Sequence, residues 1–245
     1  MLNRLLTSLS CISAALIISN GPAYAATVTF TDAVAWGAAS SGSTTIDFST
    51  LAPAGSFKDY STSTGLSLSG VNFLGFLSPT AFQLGVFDSQ YASPFFNFGG
   101  GAELKGPGYD SMNASFTPYI HVVLPGNVTS IAANLATVSP NGLTYSIKLS
   151  DGETFSSATG ARPATTFFGL TTTAPISYVD FALSDASAGN GTSGLIKNFQ
   201  FATTVSGGTP PPDVPEAATL ILIGTGLMAF RGLKKYKVST GMQQV

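Results

Sequence analysis

The sequence predicts an all-β protein, an antiparallel β-sandwich or jelly roll, preceded by a removable N-terminal signal peptide and followed by a short C-terminal transmembrane helix. Three observations support this fold class. Short apolar runs alternate with turn residues through the central region, 18 Phe and 8 Tyr can fill a core, and only 9% of the 245 residues are charged. Many short strands with Gly-rich turns are typical of sandwiches. Low charge with abundant aromatic residues argues against disorder.

The first 25 residues have the pattern of a signal peptide. Arg4 provides a positive charge, and residues 5–18 form a mostly apolar run. The small residues Ala23 and Ala25 then mark the site at which signal peptidase is expected to cut, leaving Ala26 as the first residue. A permanent membrane helix is the alternative, but the run is short and ends in the small-x-small pattern of a removed segment.

Composition excludes several classes of function. The single cysteine, Cys11, lies in the signal peptide, so the mature chain has no disulfide, cysteine nucleophile or cysteine-ligated zinc. Between residues 26 and 213, five cations and eleven carboxylates give a net charge of −6. Nucleic acid is therefore not an expected partner.

The body, residues 26–205, is predicted to be one domain of short strands. Its clearest unit is residues 128–160, where Asn-Gly at 141–142 and Asp-Gly at 151–152 favour the positive φ angles of tight hairpins. Three strands joined by these turns are expected to form an antiparallel meander. The middle strand alternates with a period of two, which predicts a buried face formed by Tyr145, Ile147 and Leu149.

The same alternation predicts two further strands, with inward residues Ile120, Val122, Leu124, Val179, Phe181 and Leu183. The runs TTIDF, VNFLGF and TTFFGL predict three more. The run LIKNFQF fits less well, because Phe199 shares parity with Leu195 while Ile196 falls on the other face. Either both faces of this strand are covered or it contains a bulge.

One helix is predicted in the body, over the run AVAWGAAS. Asp32 can cap it, and its contacts are expected to come from Val34, Trp36 and Ala39. After the body, residues 206–213 form a Gly/Pro-rich stalk, in which glycine gives flexibility and three prolines give extension.

Few residues suggest chemistry. His121, the only histidine, lies in an apolar strand and is predicted to be structural, with a catalytic base as the alternative. Asp151 and Glu153 flank a predicted turn and are expected to be solvated. A loop-rich region combines acids with aromatic residues and could bind a sugar, or hydrolyse one if two carboxylates flank a cleft. This set is Asp88, Glu103, Asp110, Tyr91, Phe95, Phe96 and Tyr109. The alternative is that these rings belong to the core.

Calcium is the one cofactor that the sequence suggests. In the Gly-rich segment SDASAGNGTSG, Asp185 and Asn190 offer the oxygen ligands that calcium prefers. The regular acidic spacing of a calcium loop is absent. No other metal or cofactor is expected.

The C-terminal tail begins with a short apolar segment. Residues 217–230 carry no charge and would form a helix of about 21 Å, shorter than the roughly 30 Å hydrocarbon core. The cations that follow are expected to stay in the cytoplasm and leave the body outside; they are Arg231, Lys234, Lys235 and Lys237. A helix buried in the body is disfavoured, because the stalk separates the two. The shortness favours a transient anchor.

This order of parts resembles the PEP-CTERM sorting signal of Gram-negative bacteria. The residues that match its motif are Val214, Pro215 and Glu216. Residues 219–230 match its apolar helix and residues 231–237 its basic cluster, so residues 214–237 are assigned to the signal. Residues 238–245 remain as a polar tail.

The resemblance implies recognition by an exosortase, a membrane protease that cuts at or near Pro215-Glu216. Ala217 departs from the proline usual at that position. The opening VTFTDAVAWGAAS and the close GLIKNFQF of the body are loosely similar to those of other PEP-CTERM sandwich domains. No active-site residues carry over, since the biochemistry of the family is mostly unassigned.

These features predict an exported, non-enzymatic protein that passes through an inner-membrane intermediate to the cell surface or extracellular space. The resemblance links it to exopolysaccharide and the biofilm matrix. A carbohydrate-binding module is the alternative, because sandwich faces with exposed aromatic residues suit sugars; a glycan-acting hydrolase is a third hypothesis. The expected partners are signal peptidase, exosortase, the membrane through the C-terminal helix, and polysaccharide.

Overall fold

The computed structural model describes residues 26–92, 95–108, 116–184 and 192–205. The predicted signal peptide, the stalk, the sorting signal and the polar tail lie outside these ranges. Within them, no helix has the length and apolar character needed to span a membrane.

Two antiparallel sheets dominate the structure. The larger has the order β1-β13-β10-β15-β8-β7-β4, with β3 also paired to β15. Its strands are β1 (Thr27–Phe30), β3 (Thr44–Ile46), β4 (Phe57–Asp59), β7 (Gly85–Asp88), β8 (Ala102–Gly108), β10 (Ser130–Thr137), β13 (Thr166–Thr172) and β15 (Ser193–Ala202). The predicted all-β class is confirmed by this sheet and its partner.

The smaller sheet has the order β12-β11-β14-β9-β6-β5. Its strands are β5 (Leu66–Leu68), β6 (Val71–Phe76), β9 (Tyr119–Val123), β11 (Thr144–Leu149), β12 (Thr154–Ala158) and β14 (Tyr178–Leu183). A short ribbon pairs β2 (Ser40–Ser41) with β16 (Thr204–Val205). The helix α1 spans Ala33–Ala39.

The inner faces of the two sheets share one hydrophobic core. At its centre, the ring of Phe73 in β6 meets Phe48 and Phe199 edge to face, each at a centroid distance of 5.5 Å. Such edge-to-face pairs are favoured by the ring quadrupoles. The predicted inward residues of β9, β11 and β14 are all buried, which confirms the alternation found in the sequence.

The predicted three-stranded meander is wrong. β11 and β12 form a hairpin through Gly152, which has φ 94°. β10, however, belongs to the larger sheet and pairs with β13 and β15. The Asn-Gly pair at 141–142 therefore lies in a crossover between the sheets. The sequence pattern did not reveal this, since β10 and β11 each have an apolar face that could pack in either sheet.

The irregular strand β15 contains the bulge that the sequence offered as one alternative. The register with β10 shifts between Ala132 and Asn134, and Asn198 adopts φ 53°. Ile196 consequently joins the main core, whereas Leu195 on the opposite face belongs to a second apolar cluster. Both alternatives therefore hold for this strand.

The helix α1 forms as predicted, with the Ala35 backbone N–H donating to Asp32 Oδ1 at 2.8 Å. Trp36 is 1% exposed, and its Nε1 donates to the Leu170 carbonyl at 3.2 Å. The contact predicted for Val34 is wrong, since Val34 is 80% exposed. A helix this rich in alanine has no apolar stripe, so the one large ring decides which side faces the sheet.

The two ends of the body lie at the same end of the larger sheet. Thr27 in β1 pairs with Thr172, and Ser130 in β10 pairs with both Thr171 and Ala202. Thr27 and Ala202, which are near the two ends of the body, therefore lie at the same end of this sheet.

Candidate functional site

The outer side of the smaller sheet carries a cluster of aromatic and polar side chains on its central strands and adjoining loops. We call it the aromatic face, and its members are Phe76, Phe82, Phe116, Tyr119, His121, Tyr178 and Asp180. All are half-buried. The strand register places Phe76 beside Tyr119, and His121 between Leu74 and Asp180. The face follows from the alternation of β6, β9 and β14, whose other side fills the core.

An ordered pair of polar side chains lies at the centre of the aromatic face. His121 Nδ1 and Asp180 Oδ1 are 2.6 Å apart, and the two side chains are 23% and 21% exposed. The carboxylate fixes the orientation of the imidazole. Burial, followed by the charges of Asp180 and Tyr178, raises the pKa of Tyr119. Within the described ranges, His121 hydrogen-bonds to Asp180 alone.

A second feature lies on the outer side of the larger sheet, where residues 95–101 form a strap over the strands. Phe96 and Phe98 pack there against Ala136 and Leu195. Lys197 Nζ donates to the Phe98 carbonyl at 2.9 Å and to the Gly100 carbonyl at 2.6 Å. The lysine thereby ties the strap to β15.

Glu103 is fully buried near this strap. It is 0% exposed, and neither carboxylate oxygen has a hydrogen-bond partner. Loss of solvation raises the pKa of Glu103 to about 8, opposed by the positive charge of Lys197 and reinforced by the charge of Asp88. A carboxyl group enclosed in this way cannot reach a substrate in a cleft.

Part of the loop-rich set predicted to bind sugar is brought together here. The rings of Phe57, Phe87 and Phe96 form a continuous stack, with centroid distances of 5.1 and 4.6 Å. Tyr91 lies 5.2 Å from Phe57. Phe95 is not part of this stack. Its side chain is 47% exposed, and the Arg162 guanidinium lies 4.2 Å from the centre of its ring. Tyr109 and Asp110, also in that set, lie outside the described residues.

The other predicted carboxylates have local structural partners. Asp88 Oδ1 accepts hydrogen bonds from the Gly55 and Gln90 backbone N–H groups, which lower its pKa. Asp151 Oδ1 accepts from the Glu153 N–H at 2.9 Å across the hairpin turn. Among the described residues no group of three His, Asp or Glu could hold a metal ion, and Asp185 and Asn190 lie outside them.

Sequence reasoning named His121 but missed the rest of the aromatic face. The signal was present as the outward parity of YIHVV and YVDFAL, in which Tyr119, His121, Tyr178 and Asp180 alternate with core residues. What the sequence did not contain was the strand order that places β14 and β6 on either side of β9.

A family model matches a segment of the chain that follows the sandwich. Residues 213–235 match the PEP-CTERM protein-sorting motif. The chain carries a PEP-CTERM sorting motif. The resemblance drawn from Val214, Pro215, Glu216 and the apolar and basic segments is thereby confirmed. No curated protein matches this PEP-CTERM chain.

Solved structures give only a distant likeness to this PEP-CTERM chain. One is a carbohydrate binding module of family 29, with a TM-score of 0.33 and 15% identity, covering 60% of this chain and 88% of that one. A mutant of such a module has a TM-score of 0.34 and 16% identity, covering 64% and 99%. Another mutant, complexed with mannohexaose, has a TM-score of 0.33 and 15% identity, covering 60% and 92%. TM-scores this low establish neither a shared fold nor a shared ligand.

Proposed function

We propose that this chain is an exported, non-enzymatic protein of the cell surface or extracellular matrix, linked to exopolysaccharide or biofilm. The observation that supports this is the PEP-CTERM sorting motif at residues 213–235, a few residues after a β-sandwich whose last strand ends at Val205. In this proposal the apolar segment holds the protein in the inner membrane as an intermediate. An exosortase then cuts near Pro215-Glu216 and frees the sandwich.

The described residues also support a non-enzymatic role. The best acid candidate, Glu103, is enclosed, and Asp88 accepts hydrogen bonds from the backbone N–H groups of Gly55 and Gln90. His121 bonds to a carboxylate with no nucleophile beside it in the described ranges. A glycosidase needs two carboxyl groups flanking a cleft, and Glu103 and Asp88 do not supply them.

Cell fractionation with mass spectrometry tests the sorting proposal. The surface-exposed protein should begin at Ala26 and lack peptides beyond Glu216. Replacing Pro215 by alanine should make the full tail persist in the membrane fraction, whereas Pro211→Ala in the stalk is the matched control and should be processed normally. Full-length protein in the cytoplasm would refute export, and an intact tail at the surface would mean a permanent anchor.

A second candidate function is carbohydrate binding. It is favoured by the half-buried rings and hydrogen-bonding groups that lie together on the aromatic face. A glycan array probed at high protein concentration should give signals above background. A blank array would remove this candidate and leave the sorting proposal standing.

A further inference from the structure

We propose that the aromatic face binds an extended, neutral polysaccharide chain, with sugar rings resting against its aromatic side chains and sugar hydroxyls hydrogen-bonded to the His121–Asp180 pair. This inference names the ligand surface for the second candidate function and rests on it. It is argued from the arrangement of rings, polar groups and charge on the outer side of β6, β9 and β14.

The aromatic residues form a row across the sheet. Phe82 lies 5.2 Å from Phe76, Phe76 lies 5.1 Å from Tyr119, and Tyr119 lies 5.9 Å from Phe116. The rings support one another and stay half-buried, so they present a rigid apolar strip to solvent. One side of a sugar ring presents C–H groups. Packing that apolar side against such a strip removes apolar surface from water, which is favourable.

Polar groups lie directly beside this strip. His121 is two residues along β9 from Tyr119, its ring 6.0 Å from Phe76 and 5.0 Å from Tyr178. Because Asp180 already holds the imidazole in place, little side-chain entropy is lost when a ligand bonds to this pair. A pyranose presents hydroxyl groups around the rim of its apolar side, so this combination of strip and polar pair matches it.

Charge on the face selects among ligands. In β6, β9 and β14 the ionisable side chains other than tyrosine are His121 and Asp180, which bond to each other. The exposed Lys148 of the adjacent β11 lies directly opposite Asp180 in the strand register and balances its charge. A surface this close to neutral offers no attraction to uronic acids, phosphates or charged peptides. Uncharged hydroxyl-rich chains are therefore the chemistry it fits.

The dimensions fit a short stretch of polymer. From Tyr119 to Val123 the face extends about 13 Å along β9, and the three neighbouring strands span about 10 Å. A face of this size is larger than a single sugar ring, so several units of a chain can contact it at once. We therefore expect binding to a polymer rather than to a free monosaccharide.

The test is isothermal titration of the full-length chain in a polyoxyethylene detergent, which contains no sugar. The probes are hydroxyethylcellulose and dextran as neutral polymers and alginate as an acidic one. Tyr119→Ala and Tyr178→Ala should each weaken binding of a neutral polymer on the order of tenfold. Phe57→Ala is the matched control, because it removes a 48% exposed ring from the other sheet and should leave binding unchanged.

Tyr119→Phe protects the test against misfolding of the alanine variants, since it retains the ring and should bind within about twofold of the wild type. Loss of binding with Phe57→Ala but not with Tyr178→Ala would place the site elsewhere and overturn the inference. Preference for alginate, or no heat with either neutral polymer, would also overturn it. None of these variants should alter export, so failure here is separable from failure of the sorting proposal.

Discussion

Replacing Glu103 by glutamine should stabilise the protein, and increasingly so as the pH rises. The carboxyl group is fully buried, neither oxygen has a partner, and burial raises its pKa to about 8. The charge of Lys197 lowers this pKa, but loss of solvation outweighs it. Glutamine retains the size of the side chain and cannot ionise, so it removes the cost of keeping the buried carboxyl group protonated as the pH rises.

The magnitude follows from the gap between the folded and unfolded pKa values. The unfolded chain loses this proton near pH 4.5, whereas the folded protein holds it to about pH 8. The unfolded state binds fewer protons in this window, so stability falls as the pH rises, by about 1.4 kcal/mol per pH unit. The penalty is absent below pH 4.5. It reaches roughly 3 kcal/mol at pH 7 and on the order of 5 kcal/mol above pH 8.

The assay is urea unfolding of residues 26–216 from pH 4.5 to 9, followed by fluorescence of Trp36, the only tryptophan and a buried one. Wild-type stability should fall across the range, and Glu103→Gln should remove most of that fall. Glu153→Gln is the matched control, since it makes the same exchange at a half-buried side chain that accepts from Thr27 Oγ1. Equal pH dependence in wild type and Glu103→Gln would refute the reasoning.

Three further predictions concern stability, each read from urea midpoints against wild type. Tyr145→Phe should lower the free energy of unfolding by about 1–2 kcal/mol, because it removes the buried hydroxyl that donates to the Ala136 carbonyl at 2.8 Å. An unchanged urea midpoint would contradict this. Gly169→Ala should lower the free energy of unfolding by about 1–3 kcal/mol, because the new Cβ would lie 2.7 Å from Trp36 Cδ1. An unshifted Trp36 emission spectrum would count against this reasoning. Asp32→Ala should cost about 1 kcal/mol through loss of the helix cap, whereas Asp32→Asn should restore most of it.

Local patterns in the sequence predicted burial well and pairing poorly. The alternation of Tyr145, Ile147 and Leu149 identified the buried side of β11, since a strand exposes its two faces in turn. The Asn-Gly pair at 141–142 predicted a hairpin through its preference for positive φ, but neither residue adopts a positive φ in the crossover. Which sheet a strand joins depends on contacts remote in the chain.

The candidate site shows the same limit. His121 and Asp180 are separated by 59 positions and meet only because β9 and β14 are neighbours in register. Glu103 gave no sign of its burial, since an acidic residue between Ala102 and Leu104 also suits an exposed side of a strand. The sorting motif, in contrast, was predictable because its meaning lies in contiguous residues.

The position of β15 governs how the sandwich bears mechanical load. In the proposed membrane intermediate, a pull on the body enters through β16, which pairs with β2, and then passes along β15, which at 10 residues is the longest strand of the described residues. This strand is bonded to β10 on one side and to β8 and β3 on the other. A force along it shears many ladder hydrogen bonds together instead of opening them one by one. The end of the body that faces the proposed tail therefore follows the strand with the most ladder neighbours in the larger sheet.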